Sequence, residues 1–254
     1  MLPAGLPFAS GAAETQQERG KRVISRCLQA LGGDAFRQLP GMLQTGSAYS
    51  FYEGEISGLS PAKIYTKYLD AGQPFREVQR QVLGKKEEEA VILTAKEGWD
   101  LTYRGAEPLS TDRIERYRET LLTDIFYILR IRFDEPNTSW FSKGADVVEN
   151  QPVEIVDFYD SENRNVTVWI HSSTFLPVKQ LFKRWDPVYK ERRDEITRFT
   201  KYGDAGGGVM WPHTIQRDRE DQKIFQLYAD SAKVGTFPDS MFQLPPEMKI
   251  LKKK

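Results

Sequence analysis

The sequence predicts an α+β protein built mainly from antiparallel strands. Between Pro152 and Lys233, apolar and polar residues alternate with the two-residue period of a strand. Val166, Val168 and Ile170 set against Thr167, Trp169 and His171 show the pattern most plainly. Turn formers recur at short, regular spacing and mark out about eleven strands, the arrangement of a sandwich or barrel. Only two long stretches carry helical spacing.

The first of these runs from Glu14 to Leu31, with Val23, Cys27, Leu28 and Leu31 on one side and Gln16, Glu18, Lys21 and Gln29 on the other. Gly32-Gly33 supplies a left-handed stop after the last turn. Strands are predicted over Met42 to Tyr52, Ala62 to Leu69, Phe75 to Leu83 and Glu89 to Ala95, with a short one at Trp99 to Tyr103. The second helix is predicted over Asp112 to Phe133, capped by Ser110 or Thr111 and stopped by Pro136. Asn137 to Lys143 reads as a loop or a single turn. Strands resume at Ala145 to Val148, Pro152 to Tyr159, Arg164 to His171, Leu176 to Arg184, Arg192 to Tyr202, Val209 to Asp218 and Lys223 to Lys233. Pro177 fits near a strand start. No linker rich in Pro, Gly or Ser divides the chain, so a single domain is expected over residues 14–254.

Charge and hydropathy narrow the function classes. Acidic and basic side chains balance at 36 each, which argues against sequence-blind nucleic-acid binding. A mean hydropathy of -0.55 and the lack of a long apolar run argue against a transmembrane segment. Met1 to Ala13 is small and weakly apolar, like the tail of a secretory signal or a disordered leader. Cys27 follows Arg26 and so does not fit a lipid-attachment motif, and no disulfide can form within a chain that has one cysteine. A soluble, exported monomer is the expectation.

Catalytic signals are weak. His171 and His213 are the only histidines, and neither has Cys, His or carboxylate partners at ligand spacing. No Gly-x-Ser-x-Gly elbow occurs, and Gly206-Gly207-Gly208 precedes a strand, as a hairpin turn does. Asp157 and Asp160 read as turn chemistry. A protein without catalytic centre, metal or cofactor is expected.

The second helix is the more informative element. Projected at 100° per residue, Tyr117, Leu121, Leu122, Ile125, Phe126, Ile128 and Leu129 fill about half of its circumference. Arg118 projects near the middle of that arc, with Arg132 on the same side. Two readings fit Arg118: an ordinary snorkelling or ion-paired side chain, or a cavity border that meets an acyl carbonyl or anionic headgroup. Trp99, Trp140, Trp169, Trp185 and Trp211 add an aromatic load, and strands such as Val153 to Phe158 are apolar on both faces. A strongly curved sheet covered on both sides gives that pattern, and so does a plain sandwich. The candidate ligand-binding residues are Tyr117, Arg118, Leu121, Leu122, Ile125, Phe126, Leu129, Trp169 and Trp211.

The run Asn165-Val-Thr-Val-Trp-Ile-His-Ser-Ser-Thr-Phe-Leu-Pro-Val-Lys179 is close to the "Asp-x-x-Thr-x-x-Pro-Val-Lys" hairpin of the LolA/LolB-type lipoprotein-carrier superfamily, with His171 where Asp is usual. Val209-Met-Trp-Pro-His213 and Phe237-Pro-Asp-Ser-Met-Phe242 resemble two further segments of it. With the N-terminal helix ending in Ala30-Leu31-Gly32-Gly33, the chain from about Gly20 onward resembles the outer-membrane lipoprotein-sorting-like proteins of that superfamily. The resemblance implies an open, incomplete antiparallel β-barrel with helices lidding an apolar concave face. It further implies a non-enzymatic periplasmic carrier or sensor whose partners are lipid or lipoprotein acyl chains. Each methylene buried there stabilises the complex by roughly 0.8 kcal/mol. The other reading is a cell-envelope interaction module that holds a segment of a partner protein on the same concave sheet. Acyl species co-purifying with the protein would favour the carrier.

Overall fold

The computed structural model describes residues 13–72, 75–85, 87, 89–94 and 96–251. All of the leader reading except Ala13 lies outside them. The strands are β1 (Gly41–Tyr52), β2 (Glu55–Tyr68), β3 (Glu77–Leu83), β4 (Glu89–Leu93), β5 (Gly98–Thr102) and β6 (Gly105–Pro108). After the helical segment come β7 (Ser139–Val148), β8 (Gln151–Tyr159), β9 (Asn165–His171), β10 (Pro177–Asp186), β11 (Glu191–Asp204), β12 (Met210–Arg219) and β13 (Gln222–Val234). They form one sheet in the order β6-β5-β4-β3-β2-β1-β13-β12-β11-β10-β9-β8-β7, antiparallel throughout. Two up-and-down meanders therefore meet at a single seam, β1 against β13. The sheet is open and curled, with β6 and β7 as its edges among the described residues.

The count among the described residues is thirteen strands, where about eleven were expected. β6 is too short to show a period, and the expected loop over 137–143 holds the first half of β7, with Trp140 and Ser142 facing inward. β2 begins at Glu55, well before Ala62, because pairing with β1 carries residues that have no buried face of their own.

The first helix, α1 (Gln16–Ala30), sits within its expected range. Thr15 and Glu18 form a capping box, with Glu18 N–H donating to Thr15 Oγ1 (3.2 Å) and Thr15 N–H to Glu18 Oε2 (2.8 Å). Gly33 N–H closes the other end on the Leu28 carbonyl at 2.9 Å. Val23, Ile24, Cys27 and Leu28 pack with Trp140, Phe158 and Val166 of the second meander. Arg19 clamps Glu154 of β8 with two hydrogen bonds of 2.8 and 2.7 Å. A short helix that the sequence reading did not find, α2 (Asp34–Gln38), buries Phe36 in the same core.

The expected single helix from Asp112 to Phe133 is broken. Helix α3 (Thr111–Thr123) ends at Asp124, whose ψ of 126° is extended. Asp124 Oδ1 accepts from Phe126 N–H (2.9 Å) and Tyr127 N–H (3.2 Å), capping a new start. Gln180 of β10 takes up the freed backbone groups, accepting from Ile125 N–H at 2.9 Å and donating to the Thr123 carbonyl at 3.2 Å. A short α4 (Ile125–Tyr127) and a π-helical turn (Ile128–Arg132) follow.

After β13 the chain runs behind the first meander. Arg80 Nη1 donates to the Met241 carbonyl (3.0 Å), and Leu251 N–H to the Ala106 carbonyl (2.8 Å). Leu244 and Met248 cover a second core formed by Val82, Ala90, Ile92, Leu101 and Ala106. No helix among the described residues is long and apolar enough to cross a membrane.

Candidate functional site: a cavity between α3 and the sheet

Consecutive residues of a strand face opposite sides, so alternate positions of β1, β2 and β3 share one wall. Register fixes the rows: Gln44 lies beside Ile64 and Ile64 beside Gln81, then Thr66 beside Gln79 and Tyr68 beside Glu77. Phe199 of β11, Trp211 and Ile215 of β12, and Phe225 and Leu227 of β13 line the same space from beyond the β1–β13 seam. Tyr117 and Leu121 of α3, with Phe126, face the same space. The cavity measures about 470 Å³, inside the range of roughly 300–1,000 Å³ of small-molecule sites. Arg113, Arg116 and Arg217 border it and are exposed, so they mark its mouth.

The aromatic wall is tightly made. Phe126 sits 4.8 Å from Trp211 and 5.0 Å, edge-on, from Phe199, ring centre to ring centre. The side formed by β1 to β3 sets polar side chains among apolar ones. Gln81 Nε2 donates to Gln79 Oε1 (3.0 Å), and Gln79 Nε2 to Glu77 Oε1 (2.7 Å), a chain of side chains along one face of β3. Burial, with Asp124 nearby, pushes the Glu77 carboxyl up to about 8, against the pull of the Gln79 hydrogen bond and of Arg130. Burial also raises Asp124, and it lifts the Tyr68 and Tyr117 hydroxyls well above their usual range. Arg130 stacks 4.0 Å over the Tyr68 ring and donates to the Leu39 carbonyl at 2.6 Å, while its Nε and Nη1 have no hydrogen-bond partner among the described residues.

Of the sequence candidates, Tyr117, Leu121, Phe126 and Trp211 line the cavity. Ile125 and Leu129 are wholly buried in the main core, away from the lining. Leu122 is half-buried outside the lining, its carbonyl accepting from Arg132 Nη1 at 2.8 Å. Trp169 is half-buried with the Lys179 ammonium 4.5 Å over its ring. Arg118 pairs with Glu115 at 2.6 Å and lies over the Phe75 ring at 5.8 Å, so of its two readings the ion pair is the one the geometry displays. Arg132 joins Asp160 at 3.0 Å and Glu135 at 2.9 Å. His171 Nδ1 accepts from Ser173 N–H and Thr174 N–H, each at 3.2 Å, and so caps the hairpin turn as an aspartate would. No three His, Cys, Asp or Glu side chains gather as a metal site among the described residues.

The sequence reading missed Gln44, Glu77, Gln79 and Gln81. In Glu-Val-Gln-Arg-Gln-Val-Leu over 77–83, polar residues alternate with apolar ones, and such a face reads as solvent-facing. Here it faces the cavity.

An open, curled antiparallel sheet of this kind is the LolA-like fold. Solved structures bear this out. A DUF1329 family protein from Desulfovibrio piger superposes with a TM-score of 0.60 at 9% identity, over 90% of this chain and 98% of that one. A putative outer membrane lipoprotein-sorting protein domain from Vibrio parahaemolyticus gives 0.59 at 11% identity, over 89% and 97%. A LolA superfamily protein from Nitrosomonas europaea gives 0.52 at 13% identity, over 85% and 96%. No family model matches the sequence, and curated proteins give no match. Identities this low carry the fold alone.

Proposed function

We propose that this chain is a non-enzymatic carrier or sensor of the periplasm that shelters acyl chains of a lipid or a lipidated protein in the cavity beneath α3. The observation that carries the reading is the cavity itself. A space of about 470 Å³ lies on the concave side of a LolA-like sheet, with one aromatic and aliphatic wall. Helix α3 serves as its lid, and Tyr117, Leu121, Phe126 and Trp211 contact the chain. Burying methylenes there, at roughly 0.8 kcal/mol each, gives affinity for long chains without covalent chemistry. The cavity's size suits one such ligand better than a protein segment, which would need an open groove.

Two measurements test the reading. Native mass spectrometry of protein purified from its own envelope should show a co-purifying acyl species that solvent extraction removes. Ile64→Trp, on a half-buried residue between Gln44 and Gln81, should fill the space and weaken binding of a dansyl-labelled fatty acid at least about tenfold, with native far-ultraviolet circular dichroism. Unchanged probe binding in Ile64→Trp would overturn the assignment of the cavity.

A further inference from the structure

Three buried polar groups on three walls of this cavity have no hydrogen-bond partner among the described residues. They are Nε2 of Gln44 on β1, Nε1 of Trp211 on β12 and the hydroxyl of Tyr117 on α3. Gln44 and Trp211 are each 6% exposed and Tyr117 is 9% exposed, whereas the arginines at the mouth are open to solvent. The unspent groups therefore belong to the inner part of the cavity. Leaving a buried donor unpaired forfeits its hydration without replacement, so a ligand of hydrocarbon alone would drive out water and leave three such penalties in place. An amide nitrogen and an indole nitrogen can only donate, so the group that completes them is an acceptor.

The charge of that acceptor is constrained as well. Asp124 borders the same cavity with an oxygen already accepting from Phe126 and Tyr127 N–H. Glu77 adds a second carboxyl on the β3 wall, and burial holds it near neutral. An ionised ligand carboxylate would carry its charge into the same buried space, where desolvation already raises both of these carboxyls. A neutral carbonyl offers the same acceptor without that cost.

We infer that the cavity binds an acyl ligand by its neutral carbonyl as well as by its chain, with an ester or amide oxygen held among Gln44, Trp211 and Tyr117. This rests on the carrier reading and adds which part of the ligand is recognised. A bare tail would satisfy the aromatic rings of Phe126, Phe199 and Phe225 and leave the three polar groups unmet. A carbonyl-bearing segment meets both needs at once.

The test is displacement of a dansyl-labelled fatty acid by two competitors of similar size, methyl decanoate and undecane. Methyl decanoate should compete at about tenfold lower concentration, a difference of about 1.4 kcal/mol. Ionised decanoate should compete less well than its methyl ester. Gln44→Leu and Trp211→Phe should each move the ester-to-alkane ratio toward one, with melting temperatures checked alongside. Equal competition by ester and alkane in the unaltered protein would overturn the inference, because the three groups would then serve only water. That comparison needs no variant to fold. A ratio unchanged in both variants would overturn it too. Failure of every competitor to displace the probe would bring down the carrier reading itself, which sets that outcome apart.

Discussion

Glu77 joins a strand's pattern to an energetic cost that pH can reveal. Its ordinary value of 4.5 rises to about 8 in the fold, chiefly through burial. Between those two values the folded protein binds a proton that the unfolded chain has released, so stability falls as pH rises. The stabilising protonated form is fully present below about pH 4.5 and is lost as pH passes through about 8, with a slope of up to about 1.4 kcal/mol per pH unit. Glu77→Gln keeps the oxygen that accepts from Gln79 and removes the titration. The variant should be more stable than the unaltered protein at pH 8, nearly equal to it at pH 5, and flatter in between, as read by urea unfolding at several pH values. A wild-type curve that is flat over that window would show that Glu77 is not held neutral. His171 was legible from sequence as the odd residue of a turn motif, and its capping nitrogen explains why the turn tolerates it. The projection that put Arg118 between Ile125 and Leu129 assumed one continuous helix, and the break at Asp124 changes the phase between α3 and the residues that follow it.

Helices in this fold are held by specific ties to strands, and two of those ties can be cut. Gly20 lies mid-helix in α1, where glycine costs about 1 kcal/mol relative to alanine. A Cβ there would sit 2.7 Å from the Trp140 carbonyl oxygen, so close approach to β7 is what demands glycine. Gly20→Ala should therefore destabilise the protein by about 1–2 kcal/mol despite its better helix propensity, measured by chemical denaturation. Helix α3 is tied through Arg184 of β10, which donates to Thr120 Oγ1 (2.9 Å) and the Arg116 carbonyl (3.3 Å) and pairs with Glu119 and with Glu195 (2.9 Å). Arg184 is buried, so Arg184→Ala should cost about 2 kcal/mol or more and speed amide exchange in α3 while α1 keeps its protection. Equal exchange in both helices would show that α3 is held by its apolar face alone. The amphipathic pattern made both long helices legible. The capping box of Thr15 and Glu18 was equally visible in principle, but Gln180, which stabilises the break after α3, comes from a strand more than fifty residues away and leaves no local mark.

At the scale of the whole molecule, each meander is braced by the far end of the chain. Helix α1 precedes the first meander yet packs on β7 and β8 of the second. The segment after β13 follows the second meander yet covers the outer face of the first, where Leu244 and Met248 lie over Val82, Ile92 and Leu101. Helix α3 leaves the edge strand β6 and reaches β10 on the other side of the β1–β13 seam. The strands themselves were readable from their period, but this crossed bracing was not, because alternation gives a strand's faces and says nothing about which distant segment will cover them. The closing stretch from Phe237 to Phe242 shows the difference: its motif was visible, and its place behind β3 was not. Crossed bracing predicts that neither meander persists without the other. Tryptophan fluorescence and far-ultraviolet circular dichroism should then report one coincident unfolding transition. Ending the chain at Val234 would uncover the Val82, Ala90, Ile92 and Leu101 core and remove the ion pair of Lys67 with Asp239. The shortened protein should bind a dye specific for exposed apolar surface and lose amide protection first in β3 to β6. If β3 to β6 kept full protection while the rest of the protein stayed native, the closing segment would be a passive covering and not part of the cooperative unit.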